Sequence, residues 1–410
     1  MKSNFSRLFE NKDFIKLWLS QILSQIAINL MNFYVLTQVF SKTQSTTAVA
    51  MIWVASALPA LLFGPFSGPI VDSLSRRKAM IITNLLQAGS IALLFFRHQL
   101  FSFYPVVFLY SFFDQIYLPS QQASIPGLVN RKYLSTANGL FLLTQQGSVL
   151  LGFGFGGILL ALLGNTITIA IASGALIVAA ISVYFLPKDQ PRVGFMEKNI
   201  GRFWKDLLVG YKYIRTHREI LLPLLMIICS QIFVSVITII LPTFTHEVLN
   251  ISLNYAGIML IVPGAIGALI VTYNLPRWLK TSRKKDIVQR GLLIGGLTLV
   301  LFSLVGLLTV GRTLISGIVA IGIGMALTCI TVPSQTLIQE KTPSWLRGRV
   351  YSQLSFLLII ATTLPILAAG TLADAIGVAP LMALMGIMLC VIYYILRRKG
   401  DYVLANGFGF

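Results

Sequence analysis

Apolar runs of about 20 residues recur along the whole chain, each closed by a short polar or basic segment. That is the length an α-helix needs to cross the hydrocarbon core of a bilayer. Twelve such spans are expected, over residues 17–40, 47–72, 79–97, 104–126, 135–162, 167–186, 221–243, 253–275, 287–309, 313–340, 350–373 and 379–396. In lipid, only a helix or a closed barrel satisfies every backbone N–H and C=O, and runs of this length predict helices. The expected fold class is an all-α integral membrane protein with twelve transmembrane helices in two pseudo-symmetric six-helix bundles. The first run is too long, and too polar on one side, for a cleaved signal peptide, so it is expected to be retained.

The longest hydrophilic stretch divides these spans six and six. It predicts an N-terminal bundle over residues 1–186, a cytoplasmic linker over 187–219, a C-terminal bundle over 220–399 and a short cytoplasmic tail over 400–410. Within the linker, Phe203, Leu207, Tyr211 and Ile214 recur at helical spacing, with Arg202, Lys205, Lys212 and Arg215 elsewhere around the turn. Two readings fit: a helix lying on the inner membrane surface with its bases toward anionic headgroups, or a solvated linker helix.

Composition agrees with the pattern. The 410 residues are 56% hydrophobic and 11% charged, with a mean hydropathy of +0.81, whereas soluble domains carry roughly a quarter charged residues. The net charge of +19 raises the question of nucleic acid. With the N-terminus placed inside, 29 of the 32 Lys and Arg fall in inner loops, leaving only Lys42, Arg97 and Arg312 outside. Cytoplasmic loops concentrate basic residues, so the charge sets topology, both termini are expected in the cytoplasm, and no nucleic-acid partner is implied. The three cysteines fall in apolar spans with no metal or pairing spacing, and no phosphate-binding loop, HExxH or GxSxG is present. The expectation is a non-enzyme without metal or cofactor.

The two halves echo each other. "PSQ" occurs at Pro119–Gln121 and again at Pro333–Gln335, 214 residues later. Basic triplets Arg76-Arg77-Lys78 and Arg283-Lys284-Lys285 stand 207 apart. Matching six-span repeats of about this size are a transporter signature. Four patches then resemble the major facilitator superfamily, in particular its drug-efflux and siderophore-export branch. These are "NKDFIKLWLSQILSQ", "GPIVDSLSRRKAM", "LPSQQASIPGLVNRKYLSTANGL" and "VPSQTLIQEKTPSWLRGRVYS". The chain departs from that pattern at Gln121, where an arginine is usual, and at Ala27-Ile28-Asn29, where an acid is common. A further departure is Gly152 to Gly157, a span 5 signature without its proline.

Three sets of residues are candidates for function. Gly68, Asp72, Arg76, Arg77 and Lys78 form a cytoplasmic turn. The resemblance implies that Asp72 meets the start of span 11 near Gly348–Tyr351 as a latch favouring the outward-open state. The second set begins with Asp114, an acid that costs roughly 2.5–3.5 kcal/mol at mid-membrane and so should face a wet cavity or a partner. Tyr110, Asp114, Tyr117 and Gln121 share one helical stripe, and Gln21, Gln25, Asn29 and Asn32 form another on span 1. The resemblance implies that spans 1, 4, 7 and 10 line a central cavity, placing Gln231, Ser235, Thr331 and Gln335 opposite. Asp114 is then a candidate proton carrier, or an anion for a cationic substrate with Tyr110 and Tyr117 offering cation–π faces. The third set is the glycines Gly147, Gly152, Gly156 and Gly157, which offer a smooth face for close helix packing. Asp374, in "GTLAD", is expected to cap span 12 on the outer side.

The function expected is export of hydrophobic or amphipathic small molecules by proton antiport with alternating access. The partners are the substrate, protons and the bilayer, and the chain is expected as a monomer in a bacterial cytoplasmic membrane. Lysophospholipid or lipid transport is the alternative within transport. A non-transporting membrane scaffold or sensor is the alternative outside it.

Overall fold

A computed structural model describes residues 8–73, 75–96, 99–130, 133–188, 218–342 and 347–398, without the side chains of 65–73, 135, 276, 339, 347–353, 355 and 356. Among the described residues there is no strand. The helices are α1 (Lys12–Thr43), α2 (Thr46–Ser73), α3 (Arg76–Ala92) and α4 (Leu100–Leu128). A continuous stretch, Leu134–Tyr184, follows, broken at Gly164 with φ 74° and ψ 176°. It is therefore two helices, α5 (residues 134–163) and α6 (residues 165–184). L side chains resist this backbone conformation and glycine does not, so the break falls where the sequence has "LGN" between two apolar runs. The rest are α7 (Arg218–Thr243), α8 (Val262–Thr281), α9 (Lys284–Leu304), α10 (Arg312–Lys341), α11 (Arg347–Ile376) and α12 (Val378–Arg398). Eleven of the expected spans fall on one of these segments to within a few residues; the eighth, 253–275, is met by a 3₁₀ turn at Leu253–Tyr255, a π-helical turn at Gly257–Ile261 and then α8. Among the described residues, ten stretches, one of them the joined α5–α6, are by themselves long and apolar enough to cross a membrane.

The chain forms two compact units. The first comprises residues 1–42 and 51–203; the second comprises 43–50 and 204–410. Helix α2 therefore starts in the second unit and continues in the first. The expected linker helix at Phe203–Ile214 lies outside the described residues.

In the first unit α3 packs on α4 and on the α5–α6 stretch. A core of Phe14, Leu17, Met80, Tyr117, Ile125 and Phe141 ties α1, α3, α4 and α5 together. Gly152 lies against α1: a Cβ there would come within 2.5 Å of the Asn29 Cβ and 2.7 Å of its backbone carbon. Gly156 abuts Leu30 and Phe33. Gly147, expected on the same smooth face, has nothing within 4 Å of its would-be Cβ. It precedes Gly152 on α5, and the contact with α1 is made from Gly152 onward.

In the second unit α9 packs on α10 and α12, α10 also on α7 and α8, and α11 on α7. At the crossing of α8 and α10, a Cβ on Gly324 would overlap the Gly264 carbonyl, and one on Gly267 would overlap the Ile321 carbonyl. Small residues let backbones approach this closely, which substitutes for the missing hydrophobic drive between helices in lipid.

Asp374 corrects one expectation. It caps α2, not α12: its carboxylate accepts from Thr46 N at 2.7 Å, Thr47 N at 3.0 Å and Ser45 Oγ at 2.7 Å. Two unpaired backbone N–H groups at a helix N-terminus attract an anion, and the sequence neighbour α12 begins instead after Gly377, with φ 88°. Asp374→Ala is expected to cost about 1 kcal/mol. In a unit of this size that lowers the thermal midpoint of the purified protein by about 2–4 °C. An unchanged melting curve would show that the cap contributes nothing.

Candidate functional site

Helix α4 carries Asp114, the acid within the apolar run 104–126, and the residues around it show how the acid is held. Pro105, Pro119 and Pro126 lie inside the helix, and each lacks the N–H that would close the preceding turn. Tyr110 and Tyr117 are both 0% exposed. The Tyr110 hydroxyl donates to Asn32 Oδ1 on α1 at 2.6 Å. The Tyr117 hydroxyl pairs with Ser20 Oγ on α1 at 3.0 Å. Both rings are thus packed inside the first unit, and the expectation that they offer open cation–π faces is corrected. A phenol with one apolar body and one polar tip is well satisfied by this packing.

Asp114, between them, is half-buried. Its Oδ1 accepts from Gln87 Nε2 on α3 at 3.4 Å, and the same Nε2 donates to the Tyr110 carbonyl at 3.2 Å. One turn back on α3, Asn84 Nδ2 donates to Ser20 Oγ at 3.4 Å. The result is two sets of bonds that join α1, α3 and α4: Asn32, Tyr110, Gln87 and Asp114 in one, and Tyr117, Ser20 and Asn84 in the other. Gln87 and Asn84 are 0% exposed, and no expectation named them. The signal was present: two amides at i and i+3 in an otherwise apolar span are as costly as a stripe on span 4.

The rest of the predicted α1 stripe is less uniform. Gln25 is buried, and its carbonyl accepts from Asn29 Nδ2 at 2.8 Å. Gln21 donates from Nε2 to the Phe141 carbonyl on α5 at 2.9 Å. Gln121 is 1% exposed. Its repeat counterpart, Gln335 on α10, is exposed, and Gln231 on α7 is half-buried, both in the second unit. There Ser235 and Thr331 turn back to carbonyls of their own helices, Gln231 and Leu327, each at 2.8 Å.

At the basic turn, the Ser75 side chain accepts from Lys78 N and so caps α3. Arg76 Nη1 donates to the Ala123 carbonyl at 2.7 Å, and Arg77 donates to the Tyr184 carbonyl and lies over the Tyr184 ring. Both guanidinium groups sit near the carbonyl ends of α4 and α6, where cations are favoured. The side chain of Asp72, the surroundings of Gly68 and the side chains of 348–351 lie outside the described residues, and so does the expected latch. Gly157 is part of α5 and buried.

Comparison with known proteins gives this arrangement a context. Residues 17–361 match the family model of the Major Facilitator Superfamily. Macrolide efflux protein A of Streptococcus pyogenes is 24% identical over 92% of this chain and 94% of that protein. Multidrug efflux pump Tap of Mycolicibacterium fortuitum is 24% identical over 83% of this chain and 84% of its own. YfiS of Bacillus subtilis, an uncharacterized MFS-type transporter, is 23% identical over 94% and 93%. Among solved structures, the nucleoside transporter NupG superposes with a TM-score of 0.67 at 14% identity, covering 94% of this chain and 99% of that one. The POT family transporter PepTSo does so at 0.68 and 13%, covering 95% and 98%. Identities this low speak for the fold alone in the structures. The family match runs across most of the sequence, from α1 into α11, and it falls on helices that carry membrane-spanning lengths of apolar residues. This membrane-spanning chain belongs to the major facilitator superfamily of transporters.

Proposed function

We propose that the protein exports hydrophobic or amphipathic small molecules from a bacterial cell by proton antiport, as a monomer with both termini in the cytoplasm. The observation that carries this reading is Asp114. An acid in the middle of an apolar helix, hydrogen-bonded to Gln87, which also donates to the Tyr110 carbonyl, is costly unless it works. A carboxyl group can take up a proton on one face of the membrane and release it on the other, and the amides and hydroxyls around it can adapt to either state. The efflux names carried by relatives such as macrolide efflux protein A and pump Tap support the outward direction. The amide, hydroxyl and aromatic character of the surroundings supports an amphipathic cargo. The concentration of basic residues in the inner loops supports the orientation.

The test is accumulation of a fluorescent lipophilic dye in cells with and without the protein, at external pH 6 and pH 8. Proton influx is downhill from an acidic medium, so accumulation should fall most at pH 6. A lipid transporter would change lipid asymmetry and leave the dye alone, and a scaffold would change neither. Either outcome retires the antiport reading.

A further inference from the structure

At one end of the first unit, where α3 and α4 meet the segment that follows α6, lies a recess of about 170 Å³. Arg76 and Arg77 of α3 line one side, Ser124 and Gly127 of α4 another, and Lys188, just past α6, the third. Three of its nine lining residues are basic and none is acidic. Drug-sized molecules need about 300 Å³ or more, so this volume suits a single charged headgroup. The bases are fixed in place. Arg76 donates to the Ala123 carbonyl on α4 and Arg77 to the Tyr184 carbonyl on α6, and a neutral carbonyl holds a guanidinium without cancelling its charge. Lys16 also reaches this end of α6, at the Phe185 carbonyl, but Asp13 pairs with it at 2.8 Å. Gly127 is exposed, and a Cβ on it would have nothing within 4 Å, so the α4 side of the recess is open.

A second observation concerns what adjoins the recess. Ile177, Ile181 and Tyr184 recur along α6 at i, i+4 and i+7, and all three are exposed. Phe185, next to them, is exposed as well. At the end of a membrane-spanning helix, exposed aromatic rings sit at headgroup level, and the aliphatic side chains further along meet acyl chains. A basic recess that continues into an apolar stripe matches a molecule with an anionic head and an apolar tail. A soluble phosphate would use only the first of these.

We infer that this recess binds the phosphate group of an anionic phospholipid, whose acyl chains then run along Tyr184, Ile181 and Ile177. Arg76, Arg77 and Lys188 surround the phosphate, and hydrogen bonds between such groups and phosphate are charge-assisted, roughly twice as strong as neutral ones. A zwitterionic lipid carries the same phosphate but brings its own cation among three others, so the site discriminates against it. In the orientation proposed above, this end of the unit meets the cytoplasmic leaflet, whose surface is negative. Lipid binding itself does not depend on the transport reading.

The experiment titrates the purified full-length chain, delipidated in dodecyl maltoside, with phosphatidylglycerol and follows the first binding step by native mass spectrometry. That step should saturate, and phosphatidylcholine should bind at least tenfold more weakly. Glycerophosphoglycerol and inorganic phosphate, which have no acyl chain, should also bind at least tenfold more weakly. Lys188→Gln, at an exposed position where folding is not at stake, should raise Kd about fivefold, the share of one basic side chain near an anionic surface. Gly127→Glu, which sets a carboxylate in the open side of the recess, should raise Kd at least tenfold, whereas Gly127→Ala should leave it unchanged. Lys280→Gln removes an exposed base from the last turn of α8 in the second unit and should also leave Kd unchanged. Equal affinity for phosphatidylcholine would overturn the inference by showing that charge is not recognised. Equal affinity for either chainless phosphate would overturn it in favour of a site for soluble phosphates. An unaltered Kd in both the Lys188→Gln and Gly127→Glu variants would place the bound lipid elsewhere.

Discussion

Asp114→Asn is expected to abolish the pH dependence of dye efflux and to raise accumulation at external pH 6 to the level of cells without the protein. The substitution keeps the shape and the hydrogen bond from Gln87, whose Nε2 can donate to an amide oxygen as it does to Asp114 Oδ1. It removes only the capacity to carry a proton. The effect is large because the driving force is large: proton influx supplies about 2.3 kcal/mol per charge per 100 mV, and at about 1.4 kcal/mol per tenfold that sustains roughly a 50-fold concentration ratio. Without a carrier, the protein could at best equilibrate its cargo. Expression and membrane insertion should be unaltered, since an amide at this depth is easier to bury than a carboxyl that ionises. Efflux by the variant that still falls between pH 6 and pH 8 as in the unmodified protein would remove Asp114 from the coupling mechanism.

The largest structural effect is expected from a single methyl group. Gly324→Ala should prevent the second unit from folding correctly, with loss of the monodisperse peak in detergent. The added Cβ would overlap the carbonyl of Gly264 on α8 and press on its neighbours, 2.7 Å from the carbonyl carbon and 3.0 Å from Ala268 N. All three obstacles are backbone, so no side chain can swing aside, and α8 and α10 must separate. Overpacking of a close interior typically costs about 1–3 kcal/mol, and more where backbone must move. Separation would also loosen the neighbouring contact of Gly267 with Ile321. Gly147→Ala on α5 is the matched control, because nothing lies within 4 Å of its new Cβ. There the better helix propensity of alanine, worth about 0.8–1.0 kcal/mol, should leave the protein as stable or slightly more so. If the two variants gave the same elution profile and melting temperature, the close crossing of α8 and α10 would not be structurally important.

These two substitutions show how differently function and packing are written in the chain. Asp114 is conspicuous to anyone reading residues 109–126, because a lone acid in an apolar run has no structural excuse in its own helix. The glycines are equally visible, but the sequence does not rank them: Gly147 and Gly152 look alike, and only one of them touches another helix. Asp374 is a third case. Its carboxylate is as legible as that of Asp114, yet the helix it caps begins 328 residues away at Thr46 and not at the adjacent α12.

What the sequence determined by itself was where the apolar helices lie and how long they are. Lipid offers no hydrogen bonds, so every apolar run of sufficient length must close its own backbone as a helix. That reasoning is local, and it needs no partner. What the tertiary structure decided was which polar atoms meet. Gln87 and Asn84 of α3 face α4 and α1, Tyr110 and Tyr117 turn inward instead of lining an open face, and Gln21 and Gln121 converge with Asn138 and Gln145 of α5 around one recess. A helix repeats every 3.6 residues and so announces which of its residues share a side. Which neighbour that side confronts depends on close contacts such as Gly152 against Asn29, whose partners are far apart along the chain and are set by how the helices fit against one another.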